Sequence, residues 1–118
     1  MPTYAYEFND VNAPLDFYTL GPASFPLGAY HTSELQYLFN LIGPLPTFTP
    51  GQQTLSETMI GYWAQFAKTG NPNSEGAPAW SQYSTGGSLE SLVPPTPAAE
   101  SDSSFDGNHQ CSGFWNMF

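Results

Sequence analysis

His31 stands in the run GAYHTSELQYLF, residues 28–39, and is one of two histidines among 118 residues. A neutral imidazole can take a proton from a hydroxyl and return it near pH 7, so a histidine held at a fixed place is a candidate general base. The residues after His31 read as the start of a helix, whose positive end disfavours the imidazolium and helps keep such a base neutral. By spacing alone, a loop histidine is also an ordinary surface or capping residue. No Gly-x-Ser-x-Gly occurs in the chain, so these residues offer a candidate base without the strand-to-helix elbow that presents a serine nucleophile. His109 and Cys111 could suggest metal ligands, but their spacing and the lack of further ligands favour two members of a packed terminal helix. Tyr62, Trp63 and Phe66 resemble an aromatic platform, yet their helical spacing assigns them to core packing. Phe17, Tyr18 and Phe25 either line a pocket or cover the core, and both readings stay open.

The elements that must hold these residues follow from periodicity. Thr3–Phe8 (TYAYEF) reads as a strand with Tyr4, Tyr6 and Phe8 on one side, ended by the turn-forming pair Asn9 and Asp10. Residues 11–30 carry Pro14, Gly21, Pro22, Pro26 and Gly28 without sustained periodicity and read as a long connection of the functional kind. A first helix follows, capped by Thr32 or Ser33, with Leu35, Leu38, Phe39 and Ile42 as its apolar stripe and Gly43-Pro44 as its stop. The pattern Thr54-x-x-Glu57 predicts a capping box opening a second helix, with Leu55, Met59, Tyr62, Trp63 and Phe66 on its buried face. Lys68 in its last turn and Gly70 just beyond suit its C-terminus. Residues 71–87 are turn-rich, and Leu89–Val93 reads as a short strand stopped by Pro94 and Pro95. Residues 94–104 read as exposed loop, and Asp106 or Asn108 as the cap of a last helix with Cys111, Phe114, Trp115 and Phe118 at helical spacing. No internal repeat is found.

Composition narrows the function classes. Ten carboxylates face the single basic residue Lys68, for a formal net charge of −9, which excludes the clustered cations that nucleic acid or an anionic membrane requires. No apolar run is long enough to span a bilayer, and no basic segment leads into an apolar one at the N-terminus. With 40% hydrophobic and 16% aromatic residues, the chain is too apolar for a solvated disordered segment despite twelve prolines and eleven glycines. Its nineteen aromatics, the sum of seven Tyr, nine Phe and three Trp, exceed what so small a body can cover and predict an exposed apolar face. Cys111 is the lone thiol, so no disulfide can form within these residues.

Three blocks in order resemble the C-terminal part of a type-B carboxylesterase, the cholinesterase-like branch of the α/β-hydrolases. They are GAYHTSELQYLF, the run MIGYWAQFAKTGNPN from Met59 to Asn73, and the pairing of PAWSQY (Pro78 to Tyr83) with the terminal HQCSGFW (His109 to Trp115). The YAYEF strand resembles the last long core strand ahead of that family's histidine loop. The resemblance implies an α/β fold in which residues 1–118 are the C-terminal portion of an incomplete carboxylesterase domain: last core strand, histidine loop and three helices. It further implies a serine ester hydrolase with His31 as catalytic base, acting on small carboxylic esters without metal or organic cofactor. Chain order in this fold runs serine, acid, histidine, so the nucleophile, the acid and the oxyanion-hole donors are expected upstream, in the N-terminal region that would be the chief partner of this segment. Glu34, in the family's H-x-x-E pattern, is expected to be a structural carboxylate. The alternative is a non-catalytic cholinesterase-like binding or adhesion remnant. Alone, the 118 residues are expected to be inactive and poorly folded; extracellular location is favoured over cytoplasmic, and ester specificity is not legible.

Overall fold

A computed structural model describes residues 2–14, 24–39, 47–85 and 87–118. Three strands form one sheet in the order β1-β2-β3: β1 is Tyr6–Phe8, β2 is Ser88–Leu92 and β3 is Ala98–Ser101. β1 runs parallel to β2, with Tyr6 opposite Glu90 and Phe8 opposite Leu92, and β2 runs antiparallel to β3, with Ser88 opposite Ser101. A parallel pair cannot be closed by a tight turn. The crossover between β1 and β2 accordingly carries the histidine loop, a single-turn helix α1 (Leu35–Leu38) and the long helix α2 (Pro50–Thr69).

The strand expected over Thr3–Phe8 is confined to Tyr6–Phe8, and alternation from Tyr4 through β1 still sends Tyr4, Tyr6 and Phe8 toward the helices. Tyr4 meets Trp80 at 6.2 Å between ring centres, Tyr6 meets Trp63 at 5.1 Å and Phe8 meets Tyr37 at 5.0 Å, all edge to face. Tyr37, Leu55, Met59, Tyr62, Trp80 and Leu92 form the buried centre of this layer. Asn73 holds Trp80 in place by receiving its backbone N–H at 2.7 Å and donating to its carbonyl at 2.9 Å, while the Trp80 indole donates to the Ala5 carbonyl at 3.0 Å. That arrangement seats the PAWSQY segment beside the start of β1.

Several expected elements differ in extent. α2 begins at Pro50, because Thr49 and Gln52 make the capping box and Pro50 occupies the first turn, where a missing N–H is harmless. The Thr54 hydroxyl instead donates to the Pro50 carbonyl inside the helix. Leu55, Met59 and Tyr62 are buried as expected, whereas Phe66 is 47% exposed. The C-terminus is as expected: Lys68 lies in the last turn, and Gly70 closes the helix with φ 75° and donates to the Phe66 carbonyl. Residues 94–104 are not a continuous loop, since they contain β3 and the start of α3 (Asp102–Asn108), capped by the Ser101 hydroxyl accepting from the Ser104 N–H. Ala-Ala-Glu-Ser carries no strand signal of its own; pairing with β2 overrides propensity. The last helix therefore starts before Asp106 and ends at Asn108, and Phe114, Trp115 and Phe118 are 45%, 64% and 92% exposed in a turn and a 3-10 segment.

Glu90 in β2 is 1% exposed, and its Oε1 has no hydrogen-bond partner among the described residues. Burial pushes its carboxyl up to about 7, and its charge adds to burial in pushing the Tyr62 hydroxyl up to about 12. As pH rises from 4.5 toward 7, the unfolded chain loses this proton while the folded chain keeps it, so stability falls across that window. Above about pH 7 the full penalty is present, on the order of 2 kcal/mol once solvent screening is allowed for. Glu90→Gln is expected to match the parent in thermal melts at pH 4 and to exceed it at pH 8; equal midpoints at both pH values would contradict this account.

Candidate active site

β1 ends in a short turn that serves as the anchor for everything around His31. Asp10, 3% exposed, receives three donors: the Tyr37 hydroxyl at 2.5 Å and the Gln52 amide at 2.7 Å, both on Oδ2, and the Asn12 N–H at 2.9 Å on Oδ1. One side chain thus ties the exit of β1 to α1 and to the first turn of α2. Burial, then the hydrogen bond to Asp10, pushes the Tyr37 hydroxyl far above its usual range. A second anchor is the Pro14 carbonyl, which accepts from the Tyr30 hydroxyl at 2.6 Å and from the Gln36 amide at 2.7 Å. Tyr30 and Gln36 flank His31, so both sides of the histidine loop are fastened to the segment that leaves β1.

Between these fastenings Tyr30, His31, Thr32 and Ser33 make a tight turn. The Tyr30 carbonyl accepts the Ser33 N–H at 3.0 Å and the Ser33 hydroxyl at 2.6 Å. His31 occupies the corner and is exposed, and no hydrogen bond to its imidazole is found among the described residues. The imidazole is therefore presented outward, on the connection leaving the carboxyl end of a strand in a β-α-β crossover. In open α/β sheets that end of the strands is where ligands bind.

α1 buries a different side from the one its apolar stripe predicts. Gln36 and Tyr37 point inward, Leu35 and Leu38 are half-buried and Phe39 is 57% exposed. The hydrogen bonds of Gln36 and Tyr37 to the β1 exit decide the orientation over the leucines. The helix is capped at Glu34 rather than at Thr32 or Ser33, and Phe39 ends it in extended conformation; Ile42, Gly43 and Pro44 lie outside the described residues. Glu34 stands close enough to β1 for its charge to add to burial in raising the Tyr6 hydroxyl.

The other sequence candidates lie apart from this loop. His109 closes α3 and contacts Glu7 Oε1 at 2.6 Å on the opposite face of β1, with its ring against Phe105 at 4.3 Å. Cys111 is a half-buried free thiol just beyond. Neither belongs to a packed terminal helix, and among the described residues no group of three His, Cys, Asp or Glu is placed to hold a metal. Tyr62 is buried, and Trp63 lines, with Tyr4, Tyr6, Phe66, Pro72 and Trp80, an apolar cleft of about 170 Å³ on the α2 side. Phe25 is 66% exposed; Phe17 and Tyr18 lie outside the described residues. Among the described residues no helix is long and apolar enough to cross a membrane.

The profile of the Carboxylesterase family matches residues 1–103. The chain belongs to that family. It is 41% identical over 81 residues to an acylcarnitine hydrolase of Rattus norvegicus, covering 67% of this chain and 14% of that protein. It is 36% identical over 92 residues to a bile salt-activated lipase of Homo sapiens, covering 70% of this chain and 11% of that protein. Among solved structures, a carboxylesterase of Geobacillus stearothermophilus superposes with a TM-score of 0.63 at 26% identity, covering 93% of this chain and 21% of that one. A thermophilic pNB esterase gives 0.62 at 25% identity, with 92% and 22% covered. The small mixed sheet with its helices is thus part of an α/β-hydrolase fold, and the family member described here spans about a seventh of the curated relative from rat.

Proposed function

We propose that residues 1–118 are the C-terminal part of a carboxylesterase domain, and that His31 is the general base of its serine hydrolase chemistry. The observation that carries this reading is the outward placement of His31 on a doubly fastened turn at the carboxyl end of β1, in a family whose members include ester hydrolases. In the complete domain, His31 takes the proton of an upstream serine as that oxygen attacks the ester carbonyl, then returns it to the departing alcohol. It next takes a proton from the water that attacks the acyl-enzyme carbonyl and gives it to the serine oxygen as the bond to that oxygen breaks, which releases the acid and restores the serine. The exposed Phe39, Ile60 and Phe66, together with the uncovered cleft beside Tyr6, suit contact with the N-terminal region of the same domain. Without that region the segment keeps an oriented imidazole but no nucleophile, and is inactive as an esterase.

Reading the coding sequence upstream of Met1 and measuring the intact mass of the natural product tests the proposal. A Gly-x-Ser-x-Gly followed by an acidic residue in the same open frame is the expected result; a natural product of 118 residues alone would overturn it.

A further inference from the structure

Thr32 has φ 72° at the third position of the Tyr30–Ser33 turn. A left-handed residue at that position is the slot that glycine ordinarily fills, because a Cβ there crowds the following carbonyl. For a β-branched side chain the conformation is a true outlier, persisting only where the surroundings over-determine it. Here they do. The Tyr30 carbonyl is held twice by Ser33, Tyr30 and Gln36 are both held by the Pro14 carbonyl, the Leu35 N–H donates to the Thr32 carbonyl at 3.1 Å, and Tyr37 is held by Asp10. Glycine stands four residues earlier, at Gly28, where φ is 62°, so this loop uses glycine at one left-handed position and not at the other.

We infer that Thr32 is a positioning residue: the strained turn it closes confines the backbone on the C-terminal side of His31 and so limits the directions the imidazole can take. The inference rests on the proposed base role of His31. A glycine at 32 removes the strain and also frees the turn to leave the left-handed region. An asparagine, which visits that region readily, removes part of the strain while keeping the turn.

The test uses the natural polypeptide that contains this segment, with Thr32→Gly, Thr32→Asn and His31→Ala compared for thermal midpoint, kcat and KM on a p-nitrophenyl ester. Thr32→Gly is expected to melt a few degrees higher while kcat falls about three- to tenfold at unchanged KM, the loss expected when a reacting group is held less tightly. Thr32→Asn is expected to melt higher with kcat close to the parent. A residue with a merely structural role would not gain stability and lose kcat together. A Thr32→Gly variant that melts higher with unchanged kcat, or that melts no higher than the parent, overturns the inference. If His31→Ala is itself as active as the parent, the base role fails, and the positioning role fails with it.

Discussion

Replacing His31 with alanine in the complete polypeptide is expected to lower ester turnover roughly a million-fold, since members of a nucleophile–base–acid unit act together and losing one forfeits most of the unit's effect. KM should change little, because a general base of the proposed kind acts in the transition state and does not hold the ground-state ester. The fold should be indifferent: His31 is exposed at the corner of its turn, and the hydrogen bonds that fasten the loop are made by Tyr30, Ser33, Gln36 and Tyr37 instead. Exposed substitutions of this kind usually shift stability by less than about 0.5 kcal/mol. Steady-state kinetics with a p-nitrophenyl ester, alongside thermal melts, separate the two effects. Turnover above a tenth of the parent's would remove His31 from the chemistry; a collapsed thermal transition would mean that the loop depends on the imidazole for structure.

Asp10→Ala is expected to have the largest effect on folding. The substitution strands the Tyr37 hydroxyl, the Gln52 amide and the Asn12 N–H around a buried site. An unsatisfied buried donor costs about 1–3 kcal/mol, and the three share one environment, so a combined loss of about 3–5 kcal/mol is the expected scale. That is a large fraction of the stability of an ordinary domain. Asp10→Asn should be milder but not neutral, because one carbonyl oxygen cannot replace two carboxyl oxygens facing donors on both sides. Urea midpoints of Asp10→Asn, Tyr37→Phe and the double variant form a cycle, in which the double variant should lose less than the sum of the singles. Strict additivity would show that the Asp10–Tyr37 bond carries no coupling, and Asp10→Ala melting like the parent would remove Asp10 as an anchor.

Much of this architecture is legible in the residues, and what is not has a common physical cause. Tyr4, Tyr6 and Phe8 announce the inward face of β1 by alternation, and Lys68 with Gly70 mark the end of α2, because these signals are local. His31 is one candidate by its type and its place ahead of a helix, but those features suit a surface or capping residue equally, and the resemblance of its run to a histidine loop is what singles it out. Asp10, Gln36 and Gln52 are not legible. A polar residue at a strand end or in a helix reads as solvent-facing, and only the folded geometry shows Asp10 and Gln52 buried in one network and Gln36 buried at the separate Pro14 anchor. The apolar stripe of Leu35 and Leu38 misleads for the converse reason, since hydrogen bonds to the β1 exit turn Gln36 and Tyr37 inward. β3 is invisible in Ala-Ala-Glu-Ser because its strand state is imposed by β2. Thr32 is the extreme case: local preference argues against its conformation, and the hydrogen bonds of its neighbours enforce it.

The parallel pairing of β1 with β2 also sets an order in time. The Asn9 amide meets the Ser91 hydroxyl across 82 residues of chain, so β1 leaves the ribosome long before its neighbour exists. At roughly 5–20 residues per second, that interval is roughly 4–16 s. During it, β1 lacks β2 as its pairing partner, and closing so long a loop must precede the contacts that reward it. The fastenings of the histidine turn all lie between Asp10 and Gln52, so a nascent polypeptide stalled before Ser88 would carry all of these partners and still lack the strand beside β1.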